Sequence, residues 1–249
     1  MRLATMMLVL FGLLGGCGLL PKQIDETKDW SAQRLYSAAK DAMNGADWEK
    51  AIGLFEKLEA RYPFGRYAQQ ALLESAYAYY KFDEPESAIA AVDRFLKTYP
   101  RHPHSDYAYY LRGLVNFSRG DTLIDRFLPR DPTERDAGAT RQAFLDFSEL
   151  VKQFPDSRYA QDASQRMVFL RSNLAQYEMH VADFYMRRGA YVAAANRASQ
   201  VIEGYQGTPA VPEALETLVR AYRKLGLEDL AADAQRVLQL NYPERAAKL

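Results

Sequence analysis

Cysteine occurs once in this chain, at position 17, and histidine three times, at 102, 104 and 180. A single thiol excludes a disulfide within the chain, so packing alone must hold the fold. The histidines come without a cysteine partner or an HExxH pairing, which excludes the familiar zinc-ligand spacings. Basic and acidic residues number 32 each, and this balance excludes the basic surface of a nucleic-acid binder. Phosphate-cradling glycine loops and nucleophile elbows are also missing. Beyond the first few residues no apolar run has the length to span a bilayer.

What is present begins at the N-terminus. Arg2 precedes the apolar run Leu3 to Leu14, which ends in Gly15-Gly16-Cys17. The run is too short for a membrane-spanning helix and reads as an export signal over residues 1–16. Its small-residue site before a lone cysteine resembles the lipobox of bacterial lipoproteins, in which the cysteine becomes the acylated first residue. A short anchor or a buried N-terminal helix is the alternative. Cleavage would leave 249 − 16 = 233 residues, with 17–30 read as a lipidated flexible linker. One acyl chain anchors only marginally, whereas several anchor durably.

A repeat follows. Tyr62-Pro63, Tyr99-Pro100, Phe154-Pro155 and Tyr242-Pro243 each close a helix-like segment. Twelve residues before each proline stands an alanine: Ala51, Ala88, Ala143 and Ala231. Eight before stand Phe55, Val92, Phe147 and Gln235, and five before stand Leu58, Phe95, Leu150 and Leu238, an apolar helical stripe broken only at Gln235. The first two units are 37 residues apart, close to the tetratricopeptide period of 34. Ala39, Ala76, Gly113 and Ala182 supply small residues where paired helices must approach. A unit lacking the closing proline runs through Tyr185, Gly189-Ala190-Tyr191 and Ala194.

The expected fold is all-α, five tetratricopeptide-like helix pairs in a right-handed superhelical solenoid, at about 31–62, 69–99, 105–154, 175–206 and 212–242. Residues 31–120 form an N-terminal half, 121–138 a loop insertion in repeat three, and 139–249 a C-terminal half. The charged stretch Arg130 to Asp136 in that loop is either solvated or a partner contact. Between Asp156 and Arg188 there is neither proline nor glycine, so the first helix of repeat four should be long.

Ser37-Ala38-Ala39-Lys40 has the Ser-x-x-Lys spelling of penicillin-binding enzymes, but the companion motifs are missing and Ala39 serves the repeat. Without catalytic residues, a metal site or a cofactor, the expectation is a non-enzymatic recognition surface. In a tetratricopeptide superhelix the first helix of each pair lines the concave face. Its register assigns Tyr36 and Met43, then Leu73, Tyr77 and Tyr80, then Tyr107, Tyr110, Leu114 and Phe117 to that groove. Corresponding positions farther on are charged: Asp183, Glu213, Glu216, Arg220 and Arg223. The aromatics either bury one another or form an open concavity for an extended or helical peptide.

The lipobox cysteine, five repeats, Tyr62-Pro63-Phe64-Gly65 with Tyr67, Gln69-Gln70 and Tyr77 to Lys81, the segment Asp106-Tyr107 to Arg112-Gly113-Leu114, and Asp146-Phe147-Ser148 together resemble the BamD family of β-barrel assembly lipoproteins. The resemblance covers essentially the whole mature chain. It implies a lipid-anchored protein on the periplasmic face of the outer membrane, with Gly18 after the cysteine consistent with outer-membrane sorting. It further implies C-terminal repeats that dock on the BamA POTRA domain, mapped here onto Arg187, Arg188 and Arg197, and contacts with BamC and BamE where present. The groove residues Tyr36, Leu73, Tyr77, Tyr80, Tyr107, Tyr110 and Phe117 would receive the C-terminal signal of unfolded outer-membrane proteins. A structural adaptor that never touches substrate, or a lipoprotein coordinating cell-envelope or division complexes, are the rivals. Replacing Cys17 with serine should abolish acylation and leave an uncleaved or mislocalised precursor; an unmodified Cys17 in mature protein, read by mass spectrometry, would refute the assignment.

Overall fold

The computed structural model describes residues 25–119 and 137–249. The expected signal peptide, Cys17 and nearly all of the 121–138 insertion lie outside the described residues. Described are helices α1 (Ala32–Asn44), α2 (Trp48–Arg61), α3 (Arg66–Lys81), α4 (Pro85–Thr98), α5 (Ser105–Ser118), α6 (Ala137–Gln153), α7 (Ala160–Arg187), α8 (Tyr191–Gly204), α9 (Val211–Leu225), α10 (Glu228–Asn241) and a last turn, α11 (Pro243–Ala246). Each helix packs against the next, and first helices of successive repeats also touch: α1 meets α3, α3 meets α5, and α7 meets α9. The result is an all-α tetratricopeptide solenoid.

Local chemistry sets the boundaries. Ser31 and Asp47 accept the backbone N–H groups of Arg34 and Lys50 at 3.3 and 3.2 Å, capping α1 and α2. Pro85 and Pro212 sit in the first turns of α4 and α9, where a missing N–H is harmless. Each second helix ends in the same way. Tyr62, Tyr99, Phe154 and Tyr242 donate their backbone N–H to the carbonyl four residues back at 2.7–2.8 Å. Tyr62, Tyr99 and Tyr242 then turn to ψ of 67°, 59° and 62°, since a following proline bars the helical conformation. The fourth repeat makes this cap without proline, Tyr205 donating to Val201 at 2.9 Å.

The stripe that defines the repeat is the core. Ala51, Ala88, Ala143, Phe55, Val92, Phe147, Leu58, Phe95, Leu150 and Leu238 are all fully buried, and Ala231 nearly so. In repeat four the equivalent positions are Ala194, Ala198 and Val201, also fully buried. Burial of such apolar side chains drives the pairing of helices that would be marginal alone.

Repeat three carries the tightest contact. A Cβ built on Gly113 would lie 2.5 Å from Cε1 of Phe147, so α5 and α6 approach as they do only because position 113 has no side chain. Beside it, Asp146 is buried and accepts from Asn116 Nδ2 at 2.7 Å and Gln142 Nε2 at 3.0 Å. Arg112 Nε faces Asp146 Oδ1 at 3.0 Å, off the hydrogen-bonding direction, while its Nη1 donates to Asp93 at 3.0 Å. Burial pushes the Asp146 carboxyl above its ordinary range, and Arg112 pulls it back in part. The Arg112-Gly113 and Asp146-Phe147 motifs are thus one packing unit.

Helix α7 has 28 residues, opening at Ala160 as the absence of proline and glycine suggests. Residues 25–30, read as the end of a flexible linker, are instead pinned to repeat one: Asp25 pairs with Lys57 at 3.0 Å and with Arg61, Arg61 also donates to the Thr27 carbonyl, and the Tyr62 hydroxyl donates to the Trp30 carbonyl at 2.9 Å. Two glycines offer a paired test of the packing. Gly113→Ala should destabilise the protein by about 1–3 kcal/mol through overpacking. Gly53→Ala, whose new Cβ meets nothing within 4 Å, should stabilise α2 by about 0.5–1 kcal/mol; urea denaturation of both variants checks the contrast.

Candidate functional site

The concave side of the first three repeats holds a cleft of 540 Å³. Tyr36, Lys40 and Met43 enter from α1, Trp48 from the start of α2, Gln69, Leu73, Glu74 and Tyr77 from α3, and Tyr107 from α5. His102, His104, Arg158 and Tyr159 close it from the connections before α5 and α7. These residues converge because α1, α3 and α5 lie side by side, so one helical face from each contributes every third or fourth residue.

Four of the seven expected groove residues therefore meet in one cleft: Tyr36, Leu73, Tyr77 and Tyr107. Leu73 forms its buried floor, while the three tyrosines are half-buried. The other three are placed differently. Tyr110 stacks on Tyr159 at 4.7 Å between ring centres and donates its hydroxyl to Asp162 at 2.6 Å. Phe117 packs edge-on against Phe147 and under the Arg166 guanidinium at 4.8 Å. Tyr80 contacts Tyr77 at 6.4 Å but does not line the cleft. The rings inside the cleft also brace one another: Trp48 meets Tyr77 edge-on at 6.0 Å, and Tyr107 meets Tyr159 at 5.5 Å.

Polar groups mark the walls. Lys40 Nζ lies 2.9 Å from both carboxylate oxygens of Glu74, and the Tyr36 hydroxyl donates to the same carboxylate at 3.5 Å. Burial, aided by Glu74, pushes the Tyr36 phenol up to about 12. Burial likewise holds the Tyr107 phenol well above its ordinary range. Both are neutral hydrogen-bonding groups at any physiological pH. His102 accepts the backbone N–H of His104 at its Nδ1, 3.1 Å away, and burial followed by the His104 charge lowers its pKa. No nucleophile–base pair faces the cleft, and among the described residues no group of His, Cys, Asp and Glu could hold a metal ion. The arrangement suits binding, with rigid amphipathic rings and few charges left unpaired.

Tyr159 was within reach of the sequence. Tyr67, His104 and Tyr159 each stand four residues after a repeat proline (63, 100 and 155). Arg66 and Arg158 lie over the following tyrosine ring at 4.7 Å in both cases. The repeat thus writes an aromatic residue at the entry of repeats two, three and four, with Ala210 in that place before repeat five, a position that a register begun inside the helix passes over.

The YfiO family, described as outer membrane lipoprotein, matches residues 28–238. The outer membrane protein assembly factor BamD of Neisseria meningitidis serogroup B strain MC58 is 48% identical over 227 residues, covering 91% of this chain and 85% of that protein. This chain belongs to the BamD family. BamD of Xylella fastidiosa strain Temecula1 is 40% identical, covering 98% of this chain and 83% of that one, and BamD of Vibrio cholerae is 37% identical with coverage of 94% and 96%. Among the described residues no helix is long and apolar enough to cross a membrane.

Arg187, Arg188 and Arg197, the basic residues expected to dock this BamD-family chain, each have a partner within the chain. Arg187 pairs with Asp183 one turn back, and Arg188 lies over the Phe184 ring at 5.0 Å, both at the exposed end of α7. Arg197, in the middle of α8, donates to Glu178 at 2.8 Å. Glu178 is only 2% exposed, with Arg141 another cation nearby at 3.9 Å. Of the charges expected in the C-terminal concavity, Glu216 binds Arg245 at 2.5 Å and Arg223 donates to Gln235 at 2.6 Å. Removing Arg197 exposes the consequence of that pairing. Arg197→Glu should destabilise the fold by about 2 kcal/mol, less than the roughly 3–5 kcal/mol of a fully buried broken pair because Arg197 is partly solvated. Adding Glu178→Gln should restore part of that loss in urea denaturation; an unaltered midpoint in the single variant would place Glu178 in solvent.

Proposed function

We propose that this protein is a non-enzymatic subunit of the machinery that assembles outer-membrane β-barrels, anchored by lipid at Cys17, and that its N-terminal cleft binds the C-terminal signal of unfolded outer-membrane proteins. The observation that carries the reading is the cleft itself. Tyr36, Trp48, Tyr77, Tyr107 and Tyr159 supply five aromatic rings around a buried Leu73 floor. The size falls in the range of about 300–1,000 Å³ that ligand sites occupy. A segment ending in an aromatic residue and alternating apolar side chains could seat one or two of those side chains there. Lys40, Glu74, Gln69 and the phenols offer polar partners for its backbone. The names of the relatives, outer membrane protein assembly factors, support the same class of activity.

The C-terminal repeats would hold the protein to BamA through its POTRA domain, using Arg187, Arg188 and Arg197. Support comes from α10, which leaves Leu230, Val237 and Leu240 exposed. A charge reversal at Arg187 or Arg188 is the cleaner probe, since Arg197 also serves Glu178.

Alanine at Tyr77 or Tyr107 tests the cleft. Each variant should keep its fold and lose roughly 1–2 kcal/mol of affinity for a peptide copied from the C-terminus of an outer-membrane barrel, as a packed anchor does. If the rings are core instead, truncation should cost about 3–5 kcal/mol of folding stability. Thermal melts with peptide titrations separate the cases, and wild-type peptide affinity in both variants would leave the adaptor role.

A further inference from the structure

The turn between α2 and α3 reads Tyr62-Pro63-Phe64-Gly65-Arg66. Phe64 at its tip is 88% exposed, the most exposed large apolar side chain among the described residues. It is also held there. Pro63 fixes the backbone on one side. Gly65 on the other adopts φ 96° and ψ 178°, a region open essentially to glycine alone. The turn is therefore shaped to present an aromatic ring outward.

The same end of the solenoid receives the N-terminal strap. Asp25 is pinned by Lys57 and Arg61, and Trp30 is bonded by Tyr62, two residues before Phe64. From Cys17 to Asp25 is 25 − 17 = 8 residue steps. At no more than about 3.5 Å per residue, that length of chain reaches roughly 28 Å at most. A lipid on Cys17 thus keeps the strap, and the turn bonded to it, close to the leaflet that holds the lipid. Phe side chains bury at the boundary between headgroups and acyl chains, and Arg66 beside the tip, exposed with its guanidinium 4.7 Å over the Tyr67 ring, is a cation that anionic headgroups attract.

We propose that the Tyr62–Arg66 turn is a membrane-contacting tip, with Phe64 seated in the interfacial layer of the phospholipid leaflet that carries the anchor. This rests on the reading of Cys17 as the lipidated residue. Together the acyl chains and the ring would make two points of attachment and so set how the solenoid stands on the surface. An acyl anchor alone leaves it free to swivel.

The test uses the full-length lipidated protein carrying Phe64→Trp, on vesicles of phosphatidylethanolamine and phosphatidylglycerol with and without brominated acyl chains. Wild-type protein supplies the background of Trp30 and Trp48. Emission from the introduced indole should shift to the blue on vesicles, and bromine should quench it by roughly half or more, as for an interfacial ring. A protein that floats with the vesicles while the introduced indole remains red and unquenched overturns the tip and leaves the anchor standing. Failure to float overturns the anchor and the tip with it. A blue shift without bromine quenching means that protein, a second copy or another subunit, covers position 64, and that also overturns the lipid assignment.

Discussion

The approach of Gly113 to the ring of Phe147 is the constraint on which the rest of this solenoid depends. It sits in the repeat that joins the two halves of the chain, and it admits one ring and nothing more. Because interiors are close-packed, a single added methyl there must be accommodated by a shift of α5 against α6. Arg112, Asn116, Gln142 and Asp146 fix the rotation of the same two helices through a buried polar network. Apolar contact sets the distance and the carboxylate sets the angle. Tyr107 and Tyr110 ride on α5, so the shape of the cleft wall follows from a contact elsewhere on that helix.

Helix α7 carries this geometry forward. At 28 residues it is about 42 Å long. Ala163 and Leu170 near its start pack with the third-repeat core, whereas Ala175, Met179 and Ala182 near its end belong to the C-terminal core. One rigid element therefore serves both halves. Glu178 stands in its second part, bonded to α8 through Arg197 and approached by Arg141 of α6. A buried carboxylate is a poor source of stability but a strict one, since the wrong rotation would leave it unpaired.

The repeat was legible in the sequence because proline punctuates it, and because core alanines and large apolar residues recur at fixed offsets before each proline. Where the proline is missing, Ala194, Ala198 and Val201 still keep the spacing. The membership of the cleft was less legible. Whether a tyrosine at a groove position stays open depends on the first residue of the following repeat, and Tyr159 covers Tyr110 while leaving Tyr107 as a wall. That is a relation between residues 49 and 52 positions apart, which periodicity within one helix does not encode. The pairing of Arg197, expected at the docking surface, was illegible for a similar reason: its partner Glu178 is an acidic residue at a buried position in the middle of a helix, where acids ordinarily face water.

Neighbour-only packing has a consequence for how the chain comes together. The strap reaches from Asp25 to Arg61, Lys40 to Glu74, Arg94 to Glu59 and Arg112 to Asp146, and even the bond from Tyr110 to Asp162 spans only 52 positions. Little entropy is lost in closing loops of that size. A polypeptide that emerges N-terminus first can finish its first helix pair, strap included, while the fourth is still unsynthesised or untranslocated. Each later pair then grows on a surface already formed, and the cleft is complete once the chain reaches Tyr159 at the entry of α7, before the last two helix pairs need exist.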